Sequence, residues 1–143
     1  MIRFALLVVV VLLLFAGFAQ AFIEEVHFNP AIMEGDDLDV LVWGGLPDSC
    51  WEFLDWTTND YNQKLVVNIS TIMPYPPETL CLQVVTPYEV AAVFPSLSEG
   101  IYTLRIYENR PPEEPNILDF TVEVMGTVSA DSETWDSIKS LFR

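Results

Sequence analysis

Glu34, Asp36, Asp37 and Asp39 place four carboxylates within six residues. Calcium takes several oxygen ligands, and clustered carboxylates can supply them. The spacing is not that of an EF-hand loop, since no acidic residue stands at the twelfth position in the required register. A solvated acidic turn is the stronger reading, so no metal is expected, and these four residues are the weak candidates for calcium. Glu52 and Asp55 form a second carboxylate pair on an aromatic segment, the arrangement that glycoside hydrolysis uses. A chain of this size has little room for a substrate cleft around them. His27 is the only histidine, and it stands beside no Gly-x-Ser-x-Gly turn, so nucleophilic catalysis lacks its base. No catalytic residue and no cofactor are therefore expected, and the chain reads as a non-enzyme.

Aromatic side chains offer another chemistry. Trp43, Trp51, Trp56, Tyr61 and Tyr75 could stack on sugar rings. Trp43 follows apolar Leu41 and Val42 and is expected in the core, which leaves Trp56 and Tyr75 as the candidates for glycan stacking. Cys50 and Cys81 are the only cysteines. In an exported chain such a pair most simply makes one disulfide, free thiols being the alternative. Asn68-Ile69-Ser70 is a glycosylation sequon, meaningful only in a eukaryotic secretory pathway.

Position in the chain depends on the elements that hold these residues. The apolar pattern has a period of two nearly throughout. Strands are expected over 22–28, 38–43, 50–58, 64–72, 80–85, 90–94, 101–107 and 117–124. Glu34-Gly35-Asp36-Asp37, Gly44-Gly45, Asn59-Asp60-Tyr61-Asn62 and the proline-rich stretches at 74–77 and 111–115 break them. No helical stretch separates consecutive strands, so parallel βαβ units are excluded. Seven or eight short strands at this spacing describe an all-β, antiparallel sandwich over 22–125, with a β-barrel as the alternative.

The two ends differ from this body. Arg3 is followed by an apolar run from Phe4 to Phe15, and Ala19-x-Ala21 fits a signal-peptidase site, so 1–21 reads as a removable leader. The run is shorter than the roughly 20 residues that span a bilayer, so no stable membrane anchor is expected. Past a small polar linker at 126–131, residues 132–143 read as a short amphipathic helix. Trp135, Ile138, Leu141 and Phe142 recur at i, i+3, i+6 and i+7, and Lys139 and Arg143 sit where cations suit the helix dipole. About twelve residues is marginal for a free helix in water, so this one must pack on its own sandwich or on a partner. Helix-in-groove docking uses the same spacing of anchors.

Once the leader is gone, five basic side chains face 21 acidic ones. Nucleic acid and anionic membranes demand a positive face and are excluded as partners.

The order Val42-Trp43-Gly44-Gly45-Leu46-Pro47-Asp48-Ser49-Cys50, then Leu80-Cys81-Leu82-Gln83-Val84, then Gly100-Ile101-Tyr102-Thr103 resembles exported bacterial β-sandwich domains with one cysteine pair, over residues 38–108. The resemblance implies an Ig-like or fibronectin-like sandwich with a Cys50–Cys81 bridge. It implies no activity. The expected function is a secreted or periplasmic protein-interaction module whose partner is another exported protein, with Trp135, Ile138, Leu141 and Phe142 as a docking face. A carbohydrate- or calcium-binding module is the alternative. A small hydrolase, or a protease inhibitor using the rigid loop at 73–79, ranks below both.

Overall fold

The computed structural model describes residues 22–127, which form eight strands and no helix. The expected leader (1–21) and the expected terminal helix, with Trp135, Ile138, Leu141 and Phe142, lie outside the described residues.

The strands are β1 (Ile23–Phe28), β2 (Ala31–Met33), β3 (Leu38–Leu46), β4 (Glu52–Tyr61), β5 (Lys64–Ile72), β6 (Thr86–Phe94), β7 (Gly100–Asn109) and β8 (Asn116–Met125). They make a three-stranded sheet ordered β1-β3-β6 and a five-stranded sheet ordered β2-β8-β7-β5-β4. Alternation decides which side chains meet between the sheets. Leu38, Val40 and Val42 of β3 and Val90, Ala92 and Phe94 of β6 face Leu65, Val67 and Ile69 of β5, Leu104 and Ile106 of β7 and Val122 and Val124 of β8, and all are buried. Each such side chain stabilises the fold by roughly 1.5–3 kcal/mol relative to exposure.

An all-antiparallel arrangement does not hold. β5 pairs with β7, and β2 with β8, in parallel. The reason is the route of the chain. β6 carries it back through the opposite sheet, so β5 and β7 run the same way and become neighbours. Period-two patterning reports which residues face inward and is blind to such neighbours.

Two further expectations are corrected. Residues 80–85 form no strand. Their apolar alternation finds no pairing strand, because the disulfide ties them to the end of the sandwich. Trp43 is not in the core. It lies half-buried on the outer face of β3, since inward Val42 and Gly44 flank it, and its indole N–H donates to Glu89 at 2.7 Å.

The β4–β5 hairpin closes through Asn62 and Gln63, both at positive φ (48° and 59°), as the right-handed strand twist requires of a two-residue turn.

Candidate functional site

The loop at 73–85 projects from one end of the sandwich, between β5 and β6. Cys50 and Cys81 are bonded, with their Cα atoms 5.5 Å apart. Around this link the Ser49 N–H donates to the Leu82 carbonyl at 3.0 Å, and the Leu82 N–H donates to the Ser49 hydroxyl at 2.8 Å. The Thr79 N–H closes a turn on the Pro76 carbonyl at 2.9 Å, and the Val84 N–H reaches the Leu82 carbonyl at 2.8 Å. Asp48 accepts the Cys50 N–H at 2.8 Å and so shapes the other side of the link. The loop is held by bonds on both arms and still sets apolar side chains in water. Leu80 is 97% exposed, and Leu82, Val84 and Val85 are exposed beside it.

A rigid floor lies beneath this end. Phe22 is buried edge-on against Trp51, with ring centres 4.7 Å apart, and the Arg110 guanidinium stands 4.7 Å from the Phe22 ring centre. Phe53 stacks on Tyr88 at 5.2 Å. The Tyr88 hydroxyl donates to Glu108 at 2.5 Å, and Glu108 is wholly buried. Gly44 lets these groups close up, because a Cβ there would strike the Phe22 carbonyl and the Tyr88 ring. Burial pushes the Tyr88 hydroxyl far above its ordinary pKa, and the Glu108 carboxylate raises it further, so the hydroxyl remains a donor.

The residues singled out for chemistry are dispersed. Asp36, Asp37 and Asp39 line an open depression at the opposite end, with Asn29 and Gly35, while Glu34 is not part of its lining. The Asp37 carboxylate is already used, accepting the Ser96 N–H at 2.8 Å. Among the described residues, the metal-donor side chains that converge within 4.8 Å are Asp48, Cys50 and Cys81, whose two sulfurs are bonded to one another. Glu52 and Asp55 are exposed on β4 and do not line that depression. Trp56, 38% exposed, sits on β4 opposite Ile69, whereas Tyr75 belongs to the loop. Trp51 is core. His27 pairs with Glu25 at 2.7 Å and meets Trp43 edge-on, with no nucleophile beside it among these contacts. Asn68 of the sequon is half-buried on β5, opposite Tyr107.

Reading the residues alone missed the display of Leu80, Leu82, Val84 and Val85. The available signal was a cysteine in the middle of the run, with Pro76-Pro77 before it and Pro87 after it. Those features mark a tethered crossing rather than a ladder strand.

No curated protein and no solved structure matches the chain. The model of the ORF11 beta-sandwich domain matches residues 40–129, a span that holds strands β4 to β8, most of β3 and both bonded cysteines. Two facing sheets and a family model covering more than half the sequence agree, and the chain belongs to the ORF11 beta-sandwich domain family.

Proposed function

We propose that this chain is a secreted or periplasmic, non-enzymatic module that binds another exported protein through the loop at 73–85. The observation that carries the proposal is Leu80, with 97% of its surface in water on a loop pinned by a disulfide. Contiguous exposed apolar side chains on a folded domain mark interaction surfaces. Holding them rigid before binding lowers the ordering cost of association. A disulfide suits an oxidising compartment, and the leader-like residues 1–21 suit export. The Ig-like reading of the sandwich belongs here as well. It is supported by the short strand β2 running parallel to the final strand, while the parallel β5–β7 pair departs from it.

The test is a paired capture experiment. The mature chain and its Leu80→Ser/Leu82→Ser variant are cross-linked in the extracytoplasmic fraction of the source cells. The variant should keep its stability to within about 0.5 kcal/mol of the parent, because neither side chain packs in the core. It should lose the cross-linked protein that the parent retains. Equal capture by both chains, or capture by neither, overturns the proposal.

A further inference from the structure

Among the described residues, β1, β6, β2 and β4 are the edge strands of the two sheets. Three of them are guarded against further pairing. β1 shifts register between Ile23 and Glu25 and carries Glu24 and Glu25. β2 is three residues long. β4 shifts register between Phe53 and Asp55 and carries Glu52, Asp55 and Asp60. Bulges, brevity and charge are the devices that keep a sheet edge from taking another strand. β6 differs. It keeps step with β3 from Leu46↔Thr86 to Leu38↔Phe94 without a shift, its proline stands at the start, and Glu89 is its one charge.

The free peptide groups of β6 can be assigned. The Gly45 N–H donates to the Phe22 carbonyl at 2.7 Å, on the β1 side of β3. Alternation then turns the peptide groups of Leu38, Val40, Val42 and Gly44 toward β6, onto Phe94, Ala92, Val90 and Tyr88. Glu89, Ala91 and Val93 therefore aim their N–H and C=O groups out of the sheet.

The facing sheet reaches beyond this edge. Trp56, Thr58 and Asp60 of β4 pair with Ile69, Val67 and Leu65 and so share their inward face. Those three partners are wholly buried, whereas Trp56, Thr58 and Asp60 are exposed. The three-stranded sheet thus stops short of β4. A strand added to β6 would stand about 4.8 Å farther out, where it covers Trp56 and Thr58.

We propose that the β6 edge receives an extended segment of another protein in which apolar side chains alternate with basic ones. The segment joins the sheet through main-chain hydrogen bonds to Glu89, Ala91 and Val93, the mode of β-strand addition. Its inward side chains lie beside buried Val90, Ala92 and Phe94 and under Trp56, so they are apolar. Charge selects the alternate, outward ones. β4 and β6 carry Glu52, Asp55, Asp60 and Glu89 between them and neither lysine nor arginine. A second copy of the chain does not fit, because pairing β6 with β6 would drive its five-stranded sheet into the overhanging β4. The edge is distinct from Leu80 and Leu82 of the loop, and either proposal can fail without the other.

The test uses the chain from Phe22 to Arg143 and synthetic peptides of about eight residues, an ordinary strand length. One alternates valine with lysine, the other valine with glutamate. Amide exchange is followed by NMR. In the free chain the Val90 and Ala92 N–H groups, bonded to β3, should exchange slowly, and those of Ala91 and Val93 fast. The valine–lysine peptide should bind and slow Ala91 and Val93 by at least about tenfold, and the valine–glutamate peptide should not. Ala91→Pro removes a donor that β3 does not use, at an edge position that tolerates proline. It should fold and bind the valine–lysine peptide at least about tenfold more weakly. If that variant does not fold, exchange in the parent chain decides alone. The proposal is overturned if Ala91 and Val93 are already slow in the free chain, since the edge is then covered by this chain or by a second copy. It is overturned equally by no binding of the valine–lysine peptide, by binding that leaves both amides fast, by equal binding of the glutamate peptide, or by a folded Ala91→Pro chain of unchanged affinity.

Discussion

Glu108 is the residue whose surroundings conflict most with its chemistry. One carboxylate oxygen takes the Tyr88 hydroxyl, while the other is buried without a hydrogen-bond partner of good geometry. Burial raises its pKa, against the pull of the Tyr88 hydroxyl, Arg110 and Asn116. A carboxyl whose pKa is higher folded than unfolded favours the fold in its protonated form. That contribution is present below the unfolded pKa, about 4.3, and is lost as pH rises through the folded pKa. Glu108→Gln removes the titration. The melting temperature of the variant relative to the parent should therefore be most favourable at neutral pH and should decline on acidification. Thermal scans between pH 4 and 8 measure this. A pH-independent difference would show that burial does not control this carboxyl. Alternation through Tyr102, Leu104 and Ile106 already pointed position 108 inward. What the pattern could not supply was the partner, since Tyr88 comes from the other sheet.

At the scale of elements, the disulfide does two things. It closes a loop between residues 31 apart in sequence, and it holds the crossing at 73–85 against the mouth of β4. Chain entropy assigns such a closure about 3–4 kcal/mol. Cys50→Ala with Cys81→Ala should cost about that much in denaturant unfolding, and should also free the loop to fast amide exchange. Loss of stability without faster exchange at 79–84 would mean that the Ser49–Leu82 hydrogen bonds suffice to hold the loop. The expected strand at 80–85 fails for the same reason that the loop is displayed. Alternating Leu80, Leu82 and Val84 have the pattern of a ladder strand, but the bond to Cys50 places them beyond the sheet ends.

For the whole molecule, charge is the dominant long-range term. Acidic side chains number 21 against six basic ones, and the described ion pairs neutralise few of them. Self-repulsion on this scale keeps a chain soluble and weakens its compact state. Added salt screens it, with a Debye length of about 30 Å at 0.01 M and about 8 Å at 0.15 M. The melting temperature of the mature chain should rise over that range at neutral pH. A fall would mean that local ion pairs such as Arg105–Asp119 outweigh the global repulsion. There the Arg105 guanidinium holds the Asp119 carboxyl below its usual range.

The residue order by itself determined the all-β class and the inward faces of β5, β7 and β8, and it placed a turn at 59–62, of which residues 59–61 instead extend β4 and the turn falls at Asn62 and Gln63. These follow from period-two burial and from local turn chemistry, while the bond between Cys50 and Cys81, implied by the resemblance, is seen in the structure. Only the tertiary structure decided the rest. Which strands neighbour one another depends on where the intervening strand crosses to the opposite sheet, a non-local event that made β5 and β7 parallel. Whether Trp43 points into the core or out of it is a matter of phase, set by Gly44 packing under Tyr88. Whether an apolar run becomes a strand or a displayed loop depends on finding a free sheet edge, and the link from Cys81 to Cys50 denied one to residues 80–85.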